Sequence, residues 1–575
     1  MYKLSRTAQL SAVRSRSLLK LSCAIGLALG AAAAATPASA AEVTSASAAN
    51  RPKVATQDGT VKGVIQNGVS VFYGIPYAEP PVGDLRWQPP KRKAPWTNVL
   101  DASNYGPICA QVTTLGPFAG PPNANEDCLY LNVFTPNVAP TGKGKLPVIF
   151  WIHGGGNFDG ASTGYDGTKL AADGHTVVVT INYRLNLMGW LSHPALNKGV
   201  FGNYGIMDQQ LALKWVQRNI DRFGGDKNNV TVGGQSAGAQ DTGMHVISPL
   251  SQGLLHRAIY ESSVPSTIPT AEIALARGIA MSVAAGCGSG ADKATAQCLR
   301  NLTPEQVETL AGTQSATSAY ITGPFVDGTV ITQQPWQAWS NGQFAHIPMM
   351  DGRVQDEANF GLANTEYFKD PQVPYTEADF TSYVTTTYSG NAGPVNTPPT
   401  YPAGTVNKVL AKYPLYAYAS PQLALDAVQT DPGACRDRHY TKILGPQVPY
   451  YAYEFDERTA PTYYPKLPGF QFLAYHTSDI QYLFPLWHGG PQGKIHELNK
   501  KQAALSDQLV DAWTNFAWTG NPNGQGNNPW PVYKATGSKP VILSQNIPVL
   551  TTMTDAQFSA AHKCDFWEKT LIIPD

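Results

Sequence analysis

The segment Gly234-Gln235-Ser236-Ala237-Gly238 sets a serine between two glycines. It directly follows the short apolar run Val230–Gly233 and precedes Ala237–Val246, which reads as a helix. A serine hydroxyl is a weak nucleophile until a base takes its proton, and it must project from the chain to reach a substrate. A sharp strand-to-helix turn gives that projection, and the flanking glycines let strand and helix approach closely. Upstream, His153-Gly154-Gly155-Gly156 follows the apolar run ending at Ile152. Acyl transfer builds negative charge on an oxygen, and backbone N–H groups stabilise that charge when no side chain blocks them. The two motifs together predict attack by Ser236, with the glycine run and the Ala237 N–H as oxyanion donors.

A serine nucleophile needs a base, and the base needs an acid to orient it. With this type of turn the chain order is Ser, then Asp or Glu, then His. His346–Met350 is a candidate strand, and Asp351, Asp356 and Glu357 follow it as candidate acids. The candidate bases are His439, His476, His488, His496 and His562. His476 ends the aromatic-rich segment Phe470–Tyr475, which can shape a pocket, whereas two glycines follow His488 as in a loop. The residues alone leave both choices open.

The elements that must position these groups alternate along the chain. Leu146–Ile152, His175–Asn182 and Val230–Gly233 are rich in branched and aromatic residues and read as buried strands. Between the last two, Gly205–Arg222 repeats apolar residues every three to four positions, the mark of an amphipathic helix. Apolar strands alternating with helices predict an α/β protein with a mostly parallel sheet covered on both faces. Gly59–Tyr73 alternates more and suits an antiparallel edge. The region 265–345 reads as mixed helix and loop, and 380–470, rich in Pro and Tyr, gives no clear pattern.

The first 40 residues stand apart. Met1–Lys20 carries five basic residues and no acid, Leu21–Ala35 is almost wholly apolar, and Ala38-Ser39-Ala40 follows, so 1–40 reads as a secretory signal peptide. The apolar run is shorter than the roughly 20 residues of a spanning helix, so no stable membrane insertion is expected. Residues 41–575 read as one domain, since no linker, charge block or repeat divides them. Their 36 basic and 41 acidic residues leave a balance of −5, which argues against nucleic acid as a partner. At 43% hydrophobic and 14% charged residues, the chain is globular rather than disordered. Six cysteines remain after residue 40, an even number suited to an oxidising compartment, secreted or periplasmic. Six cysteines allow 15 pairings. The short closures Cys109–Cys128 and Cys287–Cys298 are the simplest, leaving Cys435 with Cys564. No Cys/His cluster suggests a metal.

Several longer motifs, in order, resemble the type B carboxylesterase family, which includes the cholinesterases. They are Tyr73–Gly83, Glu126–Phe134, Asn182-Tyr183-Arg184, Gly202–Gly205 with Asp208–Leu213, and Phe223–Asp226, and the resemblance covers about residues 53–570. It implies an α/β-hydrolase fold with the site at the carboxyl ends of the strands, no cofactor, and a small-molecule ester as substrate. It picks Glu357 from Gly352–Glu357 as the acid and His476 from Tyr475–Ile480 as the base. It also implies Gly155, Gly156 and Ala237 as oxyanion donors and Ser262 as a support for the acid. The family disulfide pattern agrees with the two short closures. Amides, thioesters and lipid esters use the same machinery, and non-catalytic adhesion proteins share the fold. This chain departs from the family at Gln235, where many members have Glu, and at Ala358 and Thr477, where Gly is usual. The Cys109–Cys128 loop has no Trp to hold choline by cation–π contact, so choline specificity is not expected.

Overall fold

A computed structural model describes residues 51–570 apart from 113–114, 119–121, 137, 139–143, 197–201, 266, 316–322, 390–400, 485–495, 525–528, 535–538, 540 and 546–549. The expected signal peptide lies outside the described residues.

Eleven strands form the main sheet: β1 (Val64–Gln66), β2 (Val69–Pro76), β3 (Tyr130–Thr135), β4 (Leu146–Ile152), β5 (Val177–Ile181), β6 (Gly225–Gln235), β7 (Arg257–Glu261), β8 (Met349–Val354), β9 (Tyr450–Phe455), β10 (Ile542–Gln545) and β11 (Thr551–Met553). Their spatial order is β11-β10-β9-β8-β7-β6-β4-β5-β3-β2-β1. From β5 to β10 in that order the pairings are parallel, and the outer pairings are antiparallel. This is the α/β-hydrolase architecture expected from the sequence. The stretch Gly59–Tyr73 divides at Gly63, where a Cβ would lie 2.2 Å from the Val71 carbonyl oxygen. Before it, Thr60–Lys62 joins a separate small sheet with Lys53–Ala55 and Leu100–Asp101. After it, β1 and β2 form the antiparallel edge.

The alternation of side chains along a strand makes two cores, one on each face. On β4, Val148, Phe150 and Ile152 enter one core, while Ile149 and Trp151 enter the other. Helices α1 (Tyr204–Asn219) and α2 (Ala237–Ile247) cover the first core, with Leu213, Trp215, Val216 and Met244 buried. Helix α5 (Lys500–Thr519) covers the second with Leu509, Trp513 and Phe516. Between β8 and α5 lie α3 (Asn359–Tyr367) and the long α4 (Pro421–Leu444). Helix α4 falls within the region where the sequence had no clear pattern. It contains Pro432, which breaks the usual signal, but it buries Leu425, Val428 and Cys435 in the first core. The strand expected at His346–Met350 begins instead at Met349, because Pro348 has no N–H to donate to the sheet. It therefore extends through Asp351 to Val354.

The disulfides are Cys109–Cys128, Cys287–Cys298 and Cys435–Cys564. The last closes a loop of more than 100 residues, a constraint of about 5 kcal/mol in the chain-entropy account. Beside it, His562 is buried between two carboxylates. Its Nδ1 lies 2.9 Å from Asp431 on α4, and its Nε2 lies 2.5 Å from Glu454 on β9. Asp431 also accepts from Tyr413 and Lys563. The contacts tie the end of the chain to α4 and β9. Burial pulls the His562 pKa down, but Glu454 and Asp431 outweigh it and raise it to about 9.

A histidine held above its unfolded value near 6.5 stabilises the fold fully below that pH and loses the contribution as pH rises through about 9. The thermal midpoint is therefore expected to fall between pH 7 and 10. His562→Gln should lower it at pH 7 and flatten its dependence over that window. An unchanged profile in the variant would remove this ion pair as the cause.

Candidate active site

Ser236 occupies the single residue between β6 and α2, with φ 59° and ψ −122°. That region of backbone space is strained for a side-chain-bearing residue and costs about 1–3 kcal/mol. The turn is held by the Ser236 N–H, which donates to the Glu261 carbonyl at 2.7 Å, and by the Ser236 carbonyl, which accepts from Gln240 N–H at 3.0 Å. Both flanking glycines are required by contact. A Cβ at Gly238 would lie 2.0 Å from the Ile152 carbonyl oxygen, and one at Gly234 would lie 2.5 Å from Gly238 backbone. Helix α2 therefore starts directly against the end of β4.

The His153–Gly156 loop leaves β4 at that same point and lies over the serine. A Cβ on Gly154 would approach Ser236 Cβ to 3.1 Å. Gly155 (φ +117°) and Gly156 (φ +64°) adopt conformations that favour glycine. Among the described residues, no group accepts a hydrogen bond from the N–H of Gly155, Gly156 or Ala237. Three free donors beside the serine hydroxyl can receive a developing oxyanion. His153 anchors the loop: its ring stacks on Tyr183, its Nδ1 lies 2.8 Å from the Gly154 carbonyl, and burial lowers its pKa to about 4.

Two residues that the sequence reading did not single out, Asn157 and Asp241, complete the anchorage. Asn157 Nδ2 donates to Asp241 Oδ1 on α2 at 3.0 Å, and Gln209 Nε2 on α1 donates to the other oxygen at 2.6 Å. The Asn157 carbonyl accepts from Asn186 N–H and Trp190 Nε1. The glycine loop is thus tied to the helix that carries the serine. Asn157 directly follows the glycine run, a position that would have suggested such a role.

Of the candidate acids, the structure brings Glu357 to His476. Glu357 Oε2 lies 2.5 Å from His476 Nδ1. Its other oxygen accepts from the Val354 N–H at 3.1 Å and lies 3.8 Å from the Arg353 guanidinium. Burial pushes its pKa up, but His476, Arg353 and Ser262 outweigh this and hold it below the ordinary value. The Ser262 hydroxyl, buried beside the acid, forms no well-aligned hydrogen bond of its own. Asp351 lies within β8 and accepts from Tyr450 and Thr441. Asp356 pairs with Arg458 and joins the two loops, exchanging hydrogen bonds with Ala474 through its N–H and its carboxylate. That pairing sets Glu357 and His476 in register.

Of the other histidines, His562 sits in its buried ion pair, His439 is on α4, and His496 is exposed. His488 lies outside the described residues. Thr477 takes the left-handed conformation (φ 80°) that explains a glycine in relatives, and its hydroxyl is bonded to Tyr463 OH at 2.9 Å. Ala358 is right-handed (φ −72°) and has no need of glycine. Aromatic rings form one wall: Phe360 packs on His476 at 5.6 Å, Phe118 from the Cys109–Cys128 loop meets Phe360 edge-on, and Tyr463 and Tyr464 continue the layer. Among the described residues, no group of three or more His, Cys, Asp or Glu is placed to hold a metal, and no helix is long and apolar enough to cross a membrane.

Comparison with known proteins agrees with this geometry. Residues 50–567 match the model of the Carboxylesterase family. The chain is 34% identical to a medium-chain fatty acyl-CoA hydrolase precursor of Anas platyrhynchos, over 84% of this chain and 87% of the relative. It is 33% identical to the para-nitrobenzyl esterase of Bacillus subtilis (strain 168), over 86% and 95%. It is 32% identical to the acetylcholinesterase of Bungarus fasciatus, over 90% and 86%.

The close approach at the serine turn gives a direct test. Gly238→Ala should destabilise the protein by more than about 3 kcal/mol, since the new methyl meets backbone rather than a movable side chain. Gly361→Ala, on α3 with open space around it, should stabilise by about 0.5–1 kcal/mol. Denaturant unfolding of both variants checks the contrast, and equal effects would contradict the packing described.

Proposed function

From the premise that the chain belongs to the carboxylesterase family and is a carboxylic ester hydrolase, we propose that Ser236, His476 and Glu357 carry its reaction through an acyl-enzyme. The observation that carries this reading is the 2.5 Å contact between His476 Nδ1 and Glu357, with the imidazole lying next to the residue before Ser236. The ionised Glu357 favours the tautomer with the proton on Nδ1 and leaves Nε2 free to act as base. His476 takes the Ser236 proton as Oγ attacks the ester carbonyl carbon. The tetrahedral oxyanion is held by the N–H groups of Gly155, Gly156 and Ala237, each worth about 3 kcal/mol. His476 then gives its proton to the departing alkoxide, and the C–O bond to the alcohol breaks. Water attacks the acyl-enzyme by the same route in reverse, releasing the carboxylate and restoring Ser236.

The aromatic wall beside His476 supports esters with small to medium apolar groups. The resemblance to an enzyme named as a fatty acyl-CoA hydrolase makes acyl thioesters the second substrate class to assay. Three disulfides support export into an oxidising compartment after removal of residues 1–40 as a signal peptide.

The test is hydrolysis of p-nitrophenyl esters of increasing acyl length, beside an acyl-CoA thioester. Ser236→Ala and His476→Ala should each lower kcat by about 10⁴-fold or more with the thermal midpoint preserved, and Glu357→Gln should cost a similar factor. The chain-length optimum measures the acyl pocket. Equal rates in wild type and Ser236→Ala would overturn the assignment of the nucleophile.

A further inference from the structure

The three oxyanion donors belong to two separate pieces of the chain. Gly155 and Gly156 lie in the loop after β4, whereas Ala237 opens α2. A hole built in two halves works only if their separation is fixed, because donors must meet the oxygen at about 2.7–3.1 Å. The loop half is held in an unusual conformation. Gly155, Gly156 and Asn157 are successive residues with positive φ, at 117°, 64° and 59°. Asparagine enters this region more readily than most residues with a side chain, but such a run persists only where its surroundings hold it. The Gly155 carbonyl closes the loop on itself by accepting from the N–H groups of Phe158 and Asp159, and Gly160 is bound to Gln111. Those bonds shape the loop without joining it to α2.

The Asn157 side chain makes that connection. Its Nδ2 donates to Asp241 Oδ1 at 3.0 Å, and both side chains are buried. Asp241 stands four residues after Ala237 in α2, so donor and carboxyl share one face of the helix. An ionised carboxylate only accepts, so Nδ2 must face it, and Asn157 Oδ1 is left buried without a partner among the described residues. Gln209 of α1 donates to the other Asp241 oxygen at 2.6 Å, and its amide is oriented by His245, whose Nε2 lies 2.9 Å from Gln209 Oε1. Burial lowers the His245 pKa to about 3, so its ring is neutral, with Nδ1 towards Ser251. Among the described residues, the hydrogen-bond partners of Asp241 are thus two neutral amides, and burial raises its pKa to about 7 against their pull. A buried carboxyl held in this way is a costly means of stabilising a fold, and the unpartnered amide oxygen beside it adds to the cost.

We propose that Asn157 and Asp241 are positioning residues that fix the glycine-loop donors relative to the Ala237 N–H, and so set how strongly the tetrahedral oxyanion is held. This rests on Gly155, Gly156 and Ala237 being the donors. The pair acts through those donors, and its effect falls on the transition state. A planar ester carbonyl asks little of the hole, since full charge reaches its oxygen only when Ser236 Oγ has added. A loop released from α2 relaxes its strained run and withdraws the Gly155 and Gly156 N–H groups. The aromatic wall that faces the substrate is left as it was.

The experiment compares two ligands in wild type, Asn157→Gly, Asp241→Leu and Asp241→Asn. A medium-chain alkyl trifluoromethyl ketone takes Ser236 Oγ at its carbonyl carbon. The carbonyl π pair becomes the oxyanion and the serine proton moves to His476, so the affinity reads the hole. The methyl ketone of the same chain length binds without that addition and reads the pocket alone. Asn157→Gly keeps the left-handed conformation and loses the tie. It should lower kcat for a p-nitrophenyl ester by about 10- to 100-fold with KM little changed, short of the roughly 10²–10³-fold that follows outright loss of a donor. The trifluoromethyl ketone should weaken by the same factor, and the methyl ketone should not. Asp241→Leu should behave alike, whereas Asp241→Asn, which keeps an oxygen for Asn157 to donate to, should lose much less. Unchanged kcat and trifluoromethyl ketone affinity in Asn157→Gly overturn the proposal. Equal losses for the two ketones also overturn it, since they would assign the effect to the pocket. Equal losses in Asp241→Leu and Asp241→Asn would assign it to charge and overturn the tie. If Asp241→Leu does not fold, Asn157→Gly decides. Ser236→Ala separates the two readings. Trifluoromethyl ketone binding as tight as wild type in that variant would overturn the assignment of the serine and its oxyanion hole. Binding lost there but unmoved in Asn157→Gly would overturn only the role of Asn157 and Asp241.

Discussion

The site depends on how closely three stretches of backbone can approach one another. The end of β4, the end of β6 and the first turn of α2 meet around Gly154, Gly234 and Gly238, at separations that no Cβ would tolerate. Because α2 begins against the Ile152 carbonyl, the residue between β6 and α2 has no room for an ordinary conformation, and Ser236 is forced into the strained turn that projects its hydroxyl. The same contact brings the glycine loop over the serine. The surrounding fold supplies the 1–3 kcal/mol that such a turn costs by burying both faces of an eleven-stranded sheet.

The electrostatics follow a similar economy. Four carboxyls lie near the imidazole or just behind it: Glu357, Asp356, Glu261 and Asp479. Asp356 is pulled up to about 6 by burial even though Arg458 opposes it, and it joins the acid loop to the histidine loop. Burial and neighbouring carboxylates raise Glu261 and Asp479 as well, Asp479 to about 7. Glu357 is drawn the other way, by His476 and Arg353. The arrangement sets Glu357 against the imidazole, although the sequence places several carboxylates within reach. Burial and partner geometry push their pKa values in different directions.

Much of this was legible in the residues and some was not. The strand Leu146–Ile152 was expected with its observed bounds, and the helix after the serine was expected to within one residue, because continuous apolar runs and flanking glycines are local signals. Helix α4 was hidden by Pro432 and by the surrounding Pro and Tyr residues, and packing against the core overrides that local disfavour. The start of β8 was missed by three residues because Pro348 cannot donate to the sheet. That shift moved Asp351 out of the loop, where it had been a candidate acid, and into a strand, where Tyr450 and Thr441 bind it.

By itself, the sequence determined the chemistry available: a serine in a glycine-flanked turn, a glycine run for an oxyanion, and an α/β order of elements to carry them. These are properties of neighbouring residues, and short-range sterics enforce them. The choice among five histidines and three acids could be made from the sequence only through family resemblance, since the partners lie more than 100 residues apart. In the tertiary structure the bridge between Asp356 and Tyr475 brings the next residues along, Glu357 and His476, into contact. The tertiary structure alone revealed that Asn157 ties the glycine loop to α2. Those contacts depend on distances between strands and helices that meet only when the sheet has formed, and no periodicity in the chain encodes them.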